Sequence, residues 1–310
     1  MKQKQGEIYL LLAFTLAGTS VVSARFAAGL GAFTITSVSL LLGLGVLVPV
    51  YGKRLGQAIR QMGWSEWGMV ALQACFGIFL FRALLLTGLD YTSAGEAGLL
   101  TGTAPAITAL LAWVLLRESL NAKVAVGIGS TVGGILLIQG EPGVGNPLAA
   151  SHLAGNLLVL GAAASESLFN IFSRAASREG KKPKAAVDPV AQTTLVTAAA
   201  FMVSLVPALG ERPFAALSTL DLTGWLALLW YGWVVTALAF ICWYAGIRRS
   251  SAFTAAAYSG MMPLTSMVLA LVLLGERIDL WQAAGGGMVV CGMVLIGLPK
   301  RSRNKTMQVQ

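Results

Sequence analysis

Only 11% of this 310-residue chain is charged, against roughly 25% in a typical soluble domain. A chain this poor in charge cannot cover a water-exposed surface of its own size, and 56% of it is apolar. Histidine is almost missing: His152 stands alone at the edge of an apolar run. The three cysteines, Cys75, Cys242 and Cys291, all fall inside apolar runs. They read as small packing residues, so neither a disulfide framework nor a metal cluster is expected. No Gly-rich loop ends in Gly-Lys-Ser/Thr, which argues against direct use of ATP. A membrane enzyme needs a nucleophile–base pair or a metal set, and one peripheral histidine makes that class a poor fit. No cofactor is expected.

What the chain has in quantity is long apolar runs. A helical span needs about 20 mostly apolar residues. Ten runs qualify, at 7–27, 32–51, 66–88, 91–115, 120–139, 152–174, 188–208, 222–247, 251–274 and 279–298. Little chain remains, so no sizeable soluble domain is expected. Lys2 and Lys4 before the first run give it a signal-peptide look, but the run is too long and others succeed it. The expected fold is an all-α integral membrane protein of ten transmembrane helices. Residues 1–139 form a first set of five, 140–151 a Pro/Gly-rich linker, 152–298 a second set and 299–310 a basic tail.

The net charge of +9 has the look of nucleic-acid binding until it is located. Counting both termini and every second loop, 18 of the 22 Lys and Arg fall on one side. Lys53, Arg54 and Arg60 mark one such loop, and Arg174, Arg178, Lys181, Lys182 and Lys184 another. This is the positive-inside pattern, and it places both termini in the cytoplasm of a cell-membrane protein.

The chain also repeats itself. Residues 88–138 align without a gap on 246–296, with 19 identities over 51 positions. Alanine and leucine coincide by chance in apolar sequence, but Pro105/Pro263, Glu118/Glu276, Gly102/Gly260, Gly127/Gly285 and Gly134/Gly292 do not. The copies begin five spans apart, an odd number, so they are expected to run in opposite senses across the membrane. Gly6/Gly155, Ala13/Ala162 and Arg25/Arg174 match the first span to the sixth. Two inverted halves can rock around a site between them. Pro105 and Pro263 are placed near mid-span as matched hinge bends, or as tolerated kinks. Gly129 and Gly133, with Gly285, Gly286, Gly287 and Gly292 in the counterpart, mark the fifth and tenth spans as close-packing helices.

An ionisable residue inside a span needs a partner, a cavity or a task. Arg25, Arg82, Glu96 and Glu166 are such residues. Arg82 and Glu96 lie roughly 7–9 Å below the outer surface at about 1.5 Å per residue. They are expected to pair, as a structural bridge or as a gate. Glu166 lies roughly 12 Å from the inner end of the sixth span by the same rise, with Asn170 one turn on. Its aligned partner in the first span is Ala17, so the duplication does not explain it. It is a candidate to bind a substrate ammonium or to carry a coupling proton; an internally hydrogen-bonded acid is the alternative. Trp230, Tyr231, Trp233 and Tyr258 are candidates for stacking on an aromatic or cationic solute, or for packing. Trp243 and Tyr244 are expected at the inner interface. Thr15, Thr19 and Ser23 form a polar stripe, lining a cavity or joining helices. Glu118 and Glu276 end their spans and are given no transport role.

The run Tyr91-Thr92-Ser93-Ala94, then Pro105, then Leu115-Leu116-Arg117-Glu118 and a Gly-rich fifth span resembles the EamA family of the drug/metabolite transporter superfamily. Ser250-Ser251-Ala252, Pro263 and Leu273-Leu274-Gly275-Glu276-Arg277 resemble it again. The first span departs from it, with Leu16-Ala17-Gly18-Thr19-Ser20 where many members have a Trp-Gly pair. The resemblance implies a five-plus-five inverted bundle. It also implies a central cavity lined by the first, third, fourth, sixth, eighth and ninth spans. It further implies export or exchange of amino acids, metabolites or drugs by alternating access, usually driven by an ion gradient. The expected partners are a small-molecule solute, a coupling proton or cation, and the lipid bilayer. A channel or a receptor without coupled transport is the alternative.

Overall fold

A computed structural model describes residues 2–117, 122–139, 150–178, 189–247, 249 and 258–297. Every regular element among them is helical, as hydrocarbon requires of a chain that must satisfy its own backbone groups. Seven helices are long and apolar enough to cross a membrane: Lys4–Phe26, Ala32–Gly52, Trp64–Leu89, Ala94–Leu115, Leu153–Phe172, Pro189–Gly210 and Leu222–Ile247. Three more apolar helices are shorter: Ala122–Leu137, Met261–Leu273 and Leu280–Ile296. In chain order these ten are the first to the tenth helix. The fifth, ninth and tenth expected spans therefore appear as shorter helices. The ninth starts at Met261, after a turn at Ser259 and Gly260, rather than at 251; residues 251–257 lie outside the described residues.

Several helices are interrupted, and the interruptions recur. The first breaks at Thr19, between Lys2–Gly18 and Ser20–Phe26. The fourth breaks at Gly102 and Thr103, between Ala94–Thr101 and Ala104–Leu116. Pro105 is thus not a mid-helix kink. It is the second residue of a new helix, where its missing N–H costs nothing and its fixed φ suits the first turn. Pro263 likewise occupies the first turn of Met261–Leu273. The two sites touch: a Cβ on Gly102 would lie 3.1 Å from Cγ of Pro263. The third and eighth helices each contain a π-helical turn, Cys75–Leu80 and Tyr231–Leu238. Displaced by the 158 residues of the repeat, the first falls on 233–238, inside the second. A left-handed residue ends the fourth helix at Arg117 (φ 52°), and its aligned counterpart Gly275 is left-handed too (φ 65°).

Helix pairing obeys the same correspondence. The first helix packs on the eighth and ninth, and the sixth packs on the third and fourth. The second pairs with the seventh, the fourth with the ninth and the fifth with the tenth. The main core gathers Val21, Leu85, Leu100, Val159, Leu228 and Tyr231 where these helices cross.

Glycines set the closest approach. A Cβ on Gly134 would lie 2.5 Å from the carbonyl oxygen of Gly285, and one on Gly292 would lie 2.5 Å from that of Gly127. The fifth and tenth helices therefore meet backbone to backbone at two aligned pairs. The register differs from the expected one, because Gly129 and Gly287 face open space and take no part in this contact.

Candidate functional site

Glu166 lies in the long helix Ala150–Arg178. Leu157 on that helix is 57% exposed and faces outward. Glu166 comes nine residues later, which at about 100° per residue is half a turn around the helix. Its neighbours fix the direction. Ser165 donates to the carbonyl of Phe76, in the π turn of the third helix, at 2.8 Å. Ser167 donates to the carbonyl of Ala104, just after the break in the fourth, at 2.9 Å. The Glu166 side chain points between them, into the bundle. It is partly buried and makes no hydrogen bond or ion pair with another described residue. Asn170, one turn on, shares this face and is partly buried as well.

Arg82 comes just after the π turn of the third helix and is 3% exposed. It does not turn to Glu96, the partner that depth alone predicts. Its guanidinium donates to Ser39 Oγ at 3.0 Å and to Thr236 Oγ1 at 2.6 Å, and lies 4.5 Å from the ring centroid of Tyr231. Thr236 in turn donates to the Tyr231 carbonyl, five residues back in the second π turn, at 2.8 Å. Arg82 thus links the first-half helices two and three to the eighth. Tyr231→Leu removes a buried ring and its cation contact. It is expected to cost about 2–4 kcal/mol in a detergent unfolding measurement, and Tyr231→Phe no more than about 1 kcal/mol.

Glu96 belongs to a separate cluster. It accepts from Thr92 Oγ1 at 3.0 Å and from Asn156 Nδ2 of the sixth helix at 2.6 Å. Arg25 donates to the Thr92 carbonyl. Both acids and both arginines singled out from the sequence are thus placed, but only Arg25 and Glu96 share a neighbourhood.

The aromatic candidates do not form one box. Tyr231 is buried under Arg82. Trp230 donates to Thr19 Oγ1 at 2.8 Å, and Trp233 to the Leu42 carbonyl at 3.1 Å; both remain half exposed. Thr19 also donates to the Leu16 carbonyl at 2.7 Å, at the break between the two segments of the first helix. Ser23 donates to the Ser20 carbonyl at 3.2 Å. Tyr258 packs beside Leu10, Phe14 and Met262. Trp243 and Tyr244 both pack inside the bundle. Trp243 packs on Phe169 with ring centroids 5.1 Å apart, and the buried Tyr244 lies 3.3 Å from Gln73 Oε1 through its hydroxyl.

Two carboxylates outside the core have defined work. Glu276 accepts from the backbone N–H groups of Ala94 and Gly95 at 3.0 and 2.8 Å. Glu211 accepts from those of Phe33 and Thr34 at 3.2 and 2.7 Å, and from Thr34 Oγ1 at 2.7 Å. Glu118 lies outside the described residues. Ser39, Thr236, Asn156 and Glu211 are not among the sequence candidates. Asn156, a buried amide within a span, carries a signal that attention to charge alone overlooks. A cavity of about 350 Å³ opens between Phe26, Leu30, Leu220 and Asp221; none of the residues chosen from the sequence lines it.

Comparison with known proteins agrees with this architecture. The profile of the EamA-like transporter family matches residues 4–140 and again 153–298. The uncharacterized transporter YetK of Bacillus subtilis is 30% identical over 75% of this chain and 68% of its own. A probable amino-acid metabolite efflux pump of Salmonella typhimurium is 29% identical over 65% of this chain and 67% of its own. A probable terminal-alkyne amino-acid exporter of Streptantibioticus cattleyicolor is 24% identical over 86% and 82%. One crystal structure superposes with a TM-score of 0.65 at 18% identity, over 94% of this chain and 96% of that one, which shows the shared fold. With two matches that together span nearly its whole length, this multi-pass membrane protein belongs to the EamA-like transporter family.

Proposed function

We propose that the chain is a secondary active exporter or exchanger of small amine-bearing organic solutes, amino acids and cationic metabolites among them. It works by alternating access of two inverted five-helix halves, residues 1–139 and 152–298, with ten spans and both termini in the cytoplasm. The observation that carries this reading is the Glu166 carboxyl. It is aimed into the bundle between the third-helix π turn and the fourth-helix break, with no partner among the described residues. A carboxyl in that position is costly unless something cationic visits it, either a solute ammonium or a proton. The relatives named for amino-acid efflux support the amine. The charge map and the matched helix pairings support the inverted halves. Proteoliposome counterflow tests the proposal with amino acids, quaternary cations and carboxylic acids lacking an amine. Saturable exchange of amine-bearing solutes, not inhibited by the plain acids, is expected. Flux that rises linearly with concentration would instead mark a channel.

A further inference from the structure

Glu211 and Glu276 both belong to the second half of the chain, and both cap helices of the first. Glu276 holds the amino end of Ala94–Thr101, and Glu211 that of the helix beginning at Ala32. These ends expose N–H groups without intrahelical partners and the positive pole of the helix dipole. The fourth helix already has a local cap, Ser93 Oγ accepting from Glu96 N at 3.1 Å. Glu276 takes the two preceding N–H groups, of Ala94 and Gly95, from across the bundle. The second helix has no side-chain cap of its own at Gly31, so Glu211 supplies it. Arg60 and Arg117 stand at the opposite ends of these same two helices.

We propose that Glu276, together with Glu211, is the latch of the outer gate: a contact between halves that closes this face and is released whenever the cavity opens outward. The inference rests on the alternating-access reading above. A latch needs strength when closed and a low cost when open. Charge-assisted bonds to a helix end supply the first. Water supplies the second, because it can take over both the carboxylate and the freed N–H groups, as it cannot for a parted apolar seam. The latch also has little room to spare: a Cβ on Gly95 would lie 3.1 Å from Glu276 Oε2 and 3.7 Å from Cβ of Ala270. The duplication points the same way. Glu276 comes directly after left-handed Gly275, and its aligned partner Glu118 directly after left-handed Arg117, so the chain leaves both helices alike before the acid, at opposite faces.

Ala270 is fully buried beneath the latch and serves as reporter. The full-length chain carries Ala270→Cys with Cys75, Cys242 and Cys291 replaced by Ser, and is reconstituted into vesicles. A membrane-impermeant maleimide is added to the outer face. Glu276→Gln is expected to raise the labelling rate by about tenfold or more, the scale of one charged hydrogen bond. Gly95→Ala is expected to raise it in the same direction by crowding the carboxylate. Unchanged labelling in both variants, in protein that remains monodisperse, overturns the latch and leaves Glu276 a structural cap. Counterflow is measured on the same vesicles. If the parent shows no saturable exchange, the transport reading fails, while the labelling still decides whether the contact gates access.

Discussion

Glu166→Gln is expected to remove counterflow of amine-bearing solutes almost completely. Loss of one partner from a desolvated charge pair costs about 2–5 kcal/mol, or roughly 30-fold or more in apparent affinity. Folding should be little affected. The carboxyl makes no hydrogen bond to another described residue, and Gln fills nearly the same volume. That separation makes the result informative. A variant that keeps its unfolding midpoint and loses exchange has lost a binding group, while one that loses both has lost a structural one. Wild-type exchange with the same pH dependence would remove Glu166 from the mechanism. Asn170→Ala, on the same face, should raise the half-saturating concentration without abolishing exchange.

Gly292→Ala is expected to be strongly destabilising. Its Cβ would lie 2.5 Å from a backbone carbonyl of Gly127, which cannot swing away as a side chain would. Overpacking of this kind costs about 1–3 kcal/mol. Gly129→Ala and Gly287→Ala sit on the same two helices but meet nothing within 4 Å. They should be neutral, or stabilising by up to about 1 kcal/mol through helix propensity. Thermal unfolding in detergent compares the three. Equal destabilisation by all of them would mean that the glycines are needed for something other than the seam between the fifth and tenth helices.

The large features are legible because they are written in local patterns. Apolar runs mark the helices, and shared Pro, Gly and Glu mark the duplication. Azimuth is not legible. Counting 1.5 Å per residue gives the depth of Arg82, and depth puts it level with Glu96. The π turn at Cys75–Leu80 lies directly upstream. One extra residue per turn rotates the downstream helix by about 100° relative to an α-helical count. Arg82 accordingly meets Ser39 and Thr236. Pro105 misleads for a similar reason, since only the structure shows the break at Gly102 that makes it a helix start. Glu276 visibly recurs but shows no task in the sequence, because its partners, Ala94 and Gly95, are 182 and 181 residues away. Glu166 is conspicuous from sequence because one acid in an apolar run needs no neighbours to stand out.

The matched π turns belong to the repeat. A π turn arises when one residue is inserted into an α-helix and absorbed without breaking it. Here the surplus residue sits at corresponding places in the third and eighth helices. Two independent insertions at one site are less economical than a single insertion that was then copied. The surplus residue is therefore a feature shared by the two EamA-like repeats. It stands in both repeats, although one carries Arg82 just downstream and the other, at the aligned position, carries Phe240. What was retained is thus the irregular backbone itself, independent of the side chain it presents.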